Sequence, residues 1–207
     1  MWKKYQVDLS MQGKFAAALP KTPEEIAGML EHRMPTKKPA GAKQITELID
    51  QVIEEVVEED VAPQFGGATF KHNDEGLYYE GRCIRGHLKD CATQVKSILK
   101  PEVKALKAKV ANKVYVMTDV IPLGVKEIAG TEERFIQVMT PAGPRSTIKY
   151  IDYLESPKLS FRLNVLDDGI ITREILEALL DYGSIHGLGQ ERSQGWGRYT
   201  YTLTEIQ

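Results

Sequence analysis

GLGQERSQGWGRYTYTL, residues Gly187–Leu203, joins a loop holding Gly187, Gly189, Gly195 and Gly197 to a cleanly alternating run. Tyr199, Tyr201 and Leu203 alternate with Thr200, Thr202 and Thr204, the pattern of a half-buried strand from about Gly197 to Glu205. Glycine tolerates positive φ and lets the backbone approach another group closely. The loop therefore has two readings. It is a tight turn that seats a helix against a strand, or its exposed N–H groups form a nest for an anion.

Working upstream, Thr172 is placed to cap a helix that carries Ile175, Leu176, Leu179 and Leu180, with Gly183 as its expected terminator. Before it, Leu159, Phe161, Leu163 and Val165 alternate with Lys158, Ser160, Arg162 and Asn164, and Asp167-Asp168-Gly169 closes that strand. A strand is expected at Val114–Thr118 and a short one at Arg134–Thr140, followed by a turn at Pro141-Ala142-Gly143-Pro144. Ile84, Leu88, Cys91, Val95, Ile98 and Leu99 recur at helical spacing. Gly81-Arg82 leads into that helix, as a tight entry or as a helix N-terminus for a phosphate. A hairpin turning near Asn73-Asp74-Glu75-Gly76 precedes it, and Tyr5, Val7 and Leu9 mark a first strand.

Between these stretches, Thr22-Pro23-Glu24-Glu25 predicts a short capped helix ending near Arg33, and residues 35–41 a linker. Ile45, Leu48, Ile49, Val52, Ile53, Val56 and Val57 predict a longer amphipathic helix. Without these insertions the order is β-α-β-β-α-β, an α+β chain of ferredoxin-like arrangement. One domain over 1–207 is expected, with a helical insertion at 14–66 and a loop or hairpin insertion at 122–156.

The chain has 207 residues, 42% hydrophobic and 27% charged, ordinary for a globular protein with a real core. No apolar run approaches the roughly 20 residues of a spanning helix. MWKKYQVDLSMQGKF lacks the apolar stretch of a secretory signal, so a cytoplasmic setting is expected. Cys83 and Cys91 stand eight apart on one expected helix, too far for an unstrained disulfide. No Cys/His spacing suits zinc, and neither a metal nor a cofactor is expected. The net charge of −2 hides an asymmetry: Gly41–Gly66 holds seven acids against Lys43, while Arg82–Lys113 holds nine bases against Asp90 and Glu102. The two regions are solvated faces of opposite sign, or one repels polyanions while the other attracts them.

The glycine loop resembles the G-rich loop of the CRISPR-associated RAMP superfamily, which joins the second helix to the last strand of a ferredoxin-like, RRM-like core. Tyr79–Lys89, with Gly81 and Gly86 and basic residues around them, is similar to that family's entry into its first helix, although Cys83 stands where a serine is usual. The likeness covers Leu77–Thr93 and Lys158–Leu203. It implies an RNA-binding protein of the effector backbone-subunit kind that holds guide RNA, a single-stranded RNA, through its phosphates. Gly81, Arg82, Arg85, Lys89, Gly187, Gly189, Arg192, Gly195, Gly197 and Arg198 would supply that contact, converging on one face, and Trp196 would stack on a base. A head-to-tail homo-oligomer, joining acidic and basic regions, and other effector subunits are the implied protein partners; no membrane contact is implied.

Two alternatives belong to other classes. One is a metal-independent CRISPR RNA-processing endoribonuclease, for which His87, His186 and Asp74 are the catalytic candidates. The other is a phage-encoded or stand-alone structural protein that keeps the fold without the RNA; the acidic balance favours it, since RNA-binding domains are typically basic. No nucleotide-loop, zinc-protease or nucleophile-elbow motif is present, and the residues lean against an enzyme.

Overall fold

A computed structural model of the chain describes residues 1–17, 19–20, 67–99, 102–140 and 143–206. The expected helices at 22–33 and 45–57, and the acidic run they carry, lie outside the described residues. Along the chain run β1 (Trp2–Gln12), β2 (Lys14–Phe15), β3 (Leu19–Pro20), β4 (Gly67–Thr69), β5 (Lys71–Asn73), β6 (Gly76–Glu80), α1 (Gly81–Val95), α2 (Leu106–Lys113), β7 (Val114–Val116), β8 (Val120–Pro122), β9 (Gly130–Thr140), β10 (Gly143–Glu155), β11 (Lys158–Leu166), α3 (Arg173–His186) and β12 (Arg198–Ile206). The fold is mixed α+β and divides into two compact units, one of Met1–Ala18, Phe70–Gly130 and Tyr153–Gln207, the other of Leu19–Thr69 and Thr131–Asp152.

The larger unit is built on a four-stranded sheet in the order β12-β1-β11-β7, antiparallel throughout. Val7 pairs with Phe161 on one side and Leu203 on the other, so the apolar positions of three strands share one face. Tyr5, Val7, Leu9, Leu159, Phe161, Leu163 and Tyr199 are buried there with Ile84, Leu88 and Cys91 of α1 and Leu176, Leu179 and Leu180 of α3. Each such side chain contributes about 1.5–3 kcal/mol through the water it sheds. The opposite face of the sheet bears the other half of the alternation, including Gln6, Asp8, Arg162 and Thr202. A slip of one residue in β1 would exchange the two faces, which fixes the register.

A three-stranded sheet, β5-β6-β8, pairs the hairpin before α1 with β8 beyond it. Its hairpin turns where expected: Asn73 Oδ1 accepts the N–H groups of Glu75 at 3.0 Å and Gly76 at 3.1 Å. In the smaller unit β4 pairs antiparallel with β3 and parallel with β10. There Thr131 Oγ1 donates to the buried Asp152 carboxylate at 2.6 Å.

Two local expectations are corrected and one helix is added. Helix α1 stops at Val95, and Ile98 is 66% exposed rather than part of its apolar stripe. The short helix α2 was not foreseen; it buries Leu106 and Val110. Gly183 does not end α3, which continues to His186 and closes at Gly187, with φ 87° and its N–H on the Gly183 carbonyl.

Gly183 instead marks the closest approach of α3 to the core. A Cβ built there would lie 2.6 Å from His87 Nε2 and 3.3 Å from Cys91 Sγ, and would overlap the Tyr199 hydroxyl. Beneath it His87 Nε2 and Tyr199 Oη are hydrogen-bonded at 3.0 Å, joining α1 to β12. Glycine inside a helix costs about 1 kcal/mol against alanine, so here the missing Cβ offsets a larger overpacking cost. Gly183→Ala is expected to destabilise the fold by about 1–3 kcal/mol in chemical denaturation. Unchanged stability would show that the helices yield without cost.

Burial, with His186 and Arg192 adding to it, lowers the His87 imidazole from its ordinary 6.5 to about 4. The unfolded chain then binds a proton that the folded chain refuses. This group leaves stability intact above pH 6.5 and subtracts from it as pH falls toward 4, by about 3 kcal/mol at the end of that window. Denaturation between pH 7 and 4 should therefore show a steeper acid loss in the wild type than in His87→Gln. Parallel profiles would mean that another group titrates.

Candidate nucleic-acid interface

The loop after α3 is shaped by its glycines. Gly187, Gly189, Gly195 and Gly197 all hold positive φ, between 72° and 87°. At three of them space is also forbidden. A Cβ on Gly187 would meet the Trp196 carbonyl at 2.5 Å, while one on Gly189 or Gly197 would overlap the Ala16 or Leu188 carbonyl. The backbone approaches the protein itself. The N–H groups of Leu188, Gln190 and Gly197 donate to the carbonyls of Gly197, Ala16 and Lys14, and those of Gln194, Gly195 and Trp196 donate within the loop. These six amides serve the turn.

Arg192 opens the short 3-10 turn Arg192–Gln194 and reaches back across the fold. Its Nη1 donates to Asp90 Oδ2 of α1 at 3.0 Å and lies 2.7 Å from His186 Nε2. His186 Nε2 also lies 3.4 Å from Asp90 Oδ2, so guanidinium, imidazole and carboxylate form one cluster. The His186 ring stacks on Tyr182, with centroids 5.2 Å apart. The Arg192 guanidinium, followed by His186, holds the Asp90 carboxyl below its usual range.

This clasp closes one end of a cleft of about 410 Å³ between α1 and the loop. Gly86, Lys89 and Asp90 of α1, Lys107 of α2, and Leu188, Gly189 and Arg192 of the loop line it, over a floor of Tyr79, Cys83 and His87. Burial raises the Cys83 thiol and the Tyr79 hydroxyl, so the floor stays uncharged. Lys89, Lys107 and Arg192 oppose the single carboxylate of Asp90. The cleft suits an anion with an extended, exposed backbone.

Of the expected RNA-binding residues, Lys89, Gly189 and Arg192 line this cleft, and the four arginines do not share one partner. Arg82 forms two hydrogen bonds to Glu80, at 2.9 and 2.7 Å. Arg85 donates to the Ala111 carbonyl at 2.7 Å with its guanidinium 5.5 Å from the Tyr115 ring centroid. Arg198 is exposed at the start of β12, opposite Gln12. Gly81 is a tight entry: its N–H bonds the Asp119 carbonyl at 2.8 Å, and a Cβ would overlap the Thr118 carbonyl. Trp196 is 8% exposed, edge-on to Tyr153 with centroids 5.8 Å apart, so its ring belongs to the interior and is not open to a base.

Among the catalytic candidates, His87 is buried and bonded to Tyr199, His186 takes part in the clasp, and Asp74 sits exposed in the hairpin turn. Cys83 and Cys91 are free thiols. The sequence reading passed over Gly86, Asp90 and Lys107 as site residues. Gly86 and Lys89 stand three apart on α1, a spacing that puts them on one helical face, and this was the available signal.

No protein-family model matches the chain, and no characterised protein matches it in sequence. Solved structures do resemble it. One is a chain of a type III-B Cmr-beta structure bound to cognate target RNA, at 10% identity and TM-score 0.48 over 100% of this chain. This chain spans 61% of that one. Another is a chain of a type IV-B CRISPR complex, at 12% identity and TM-score 0.50, covering 97% of this chain and 90% of that one. The second likeness is one of fold. Among the described residues no helix is long and apolar enough to cross a membrane.

Proposed function

We propose that this chain is an RNA-binding, RAMP-like protein that grips single-stranded RNA by its phosphates in the cleft between α1 and the glycine loop, as a CRISPR effector backbone subunit would grip guide RNA. The core is read as ferredoxin-like. The element order and the antiparallel strand order β12-β1-β11-β7 support this, as does the fold shared with a chain of a type IV-B complex. The chain is read as one such domain carrying insertions at 14–66 and 122–156; the separate compact unit of Leu19–Thr69 and Thr131–Asp152 is in keeping with that. Partners are then RNA and further subunits of the same effector.

The observation that carries the proposal is Gly86. It lies inside α1, exposed, with nothing within 4 Å of a Cβ built on it. Packing gives no reason for a helix-interior glycine there, and its conformation gives none. The position faces the cleft beside Lys89, Lys107 and Arg192. A bare stretch of helix among cations is what a phosphate chain needs in order to lie close.

Two opposed effects of Gly86→Ala follow. The fold should gain about 0.5–1 kcal/mol, while affinity for a single-stranded RNA oligonucleotide should drop severalfold. Lys89→Ala with Lys107→Ala should weaken binding of all sequences alike, and the slope of log Kd against log salt should fall by roughly 0.7 for each phosphate that the variant no longer neutralises. Fluorescence anisotropy across a salt series checks both. Wild-type protein without salt-sensitive RNA affinity would overturn the proposal.

A further inference from the structure

The face of the four-stranded sheet turned away from the helices carries a second feature. Trp2 of β1 and Tyr115 of β7 project from it, 46% and 37% exposed, with ring centroids 5.5 Å apart and planes at 85°. Together with Met117 and Asn164 they line a hollow of about 260 Å³. Tyr115 is fixed in place: its hydroxyl donates to the Asn112 carbonyl at 3.0 Å, and Arg85 lies over its ring. Two aromatic rings left in water on a sheet face give up the stabilisation that burial would bring, which marks a contact surface.

The surroundings select the partner. Arg162 and Lys158 occupy outward positions of β11 on the same face as Asn164, two and six residues from it. The acid there, Asp8, accepts from Ser160 at 2.6 Å and from Gln6 at 3.3 Å. An aromatic wall, an amide able both to donate and to accept, and flanking cations are the elements that receive an unstacked base and its phosphates. We infer that this hollow takes a single base of the bound RNA, with Trp2 as the stacking surface, Asn164 on the base edge, and Arg162 on an adjoining phosphate. The inference rests on the RNA-binding reading above, but it concerns a separate face of the same unit.

The chain contains two tryptophans, Trp2 and the buried Trp196, and both emit, so the part of the signal that Trp2→Phe removes reports on Trp2. Titrating the full chain with a labelled 12-nucleotide oligouridylate, while following anisotropy and emission together, tests the inference. Emission should be quenched along the binding curve. In Trp2→Phe the quenching should vanish and the affinity stay within a few-fold of wild type. In Trp2→Ala and in Arg162→Glu, a surface change that leaves packing alone, binding should weaken about tenfold. In Lys89→Ala with Lys107→Ala, quenching should persist along a weaker curve. Binding seen by anisotropy without quenching, or an unchanged affinity in both Trp2→Ala and Arg162→Glu, would overturn the hollow and leave the cleft standing. Absence of RNA binding by either readout would overturn both. Quenching that rises with protein concentration in the absence of RNA would assign the face to a second copy of the chain and overturn the inference.

Discussion

The missing Cβ at Gly183 is the constraint on which the larger unit depends. It lets α3 settle on α1 directly above the His87–Tyr199 hydrogen bond. That bond ties the first helix to the last strand, so helix, helix and sheet meet at one point. A larger residue at 183 would have to move one of three elements, of which α1 lines the cleft. The seam also keeps His87 neutral. The imidazole is buried between two helices and hydrogen-bonded to Tyr199, a polar link within the core.

One wall of the cleft follows from that contact. With α3 held against α1, its last turn places His186 near Asp90, and the loop beyond brings Arg192 onto the same carboxylate. The glycines of the loop divide by role. Gly187, Gly189 and Gly197 are required by both conformation and space, because the loop packs on the Lys14–Ala16 segment and on itself. Gly86 is required by neither and lies exposed at the cleft. Six amides of the glycine loop serve the turn, the first of its two readings. Its backbone turns, and its arginine, together with two lysines from the helices, faces the cleft.

The sheet was legible in the sequence because antiparallel strands with one wet face alternate, as β11 does throughout and β1 and β12 do over Tyr5–Gln12 and Arg198–Thr204. The turn at Asn73–Gly76 and the positive φ of the loop glycines were legible for the same local reason. What escaped was decided by tertiary contact. Gly183 reads as a stop because a glycine after an apolar helical run commonly is one, and only the neighbour at Tyr199 shows otherwise. Helix α2 is eight residues long and weakly amphipathic, and it starts after Ala105 in the left-handed region, so no periodic signal precedes it. Trp196 looked like a base platform because it stands between two glycines; its burial beside Tyr153 depends on residues far off in sequence. Arg82 looked like a phosphate ligand until its partner two residues back, Glu80, was in view.

The central claim is that the RNA path runs between α1 and the loop. Photocrosslinking tests it most directly: the wild-type chain is bound to an oligonucleotide carrying 4-thiouridine, irradiated, digested and mapped by mass spectrometry. The account predicts crosslinked peptides that contain the Gly86–Lys89 stretch of α1, Lys107, or the Gly187–Arg192 loop, and their loss at high salt. Crosslinks confined to peptides outside these three, with the cleft peptides unmodified at saturating RNA, would contradict it.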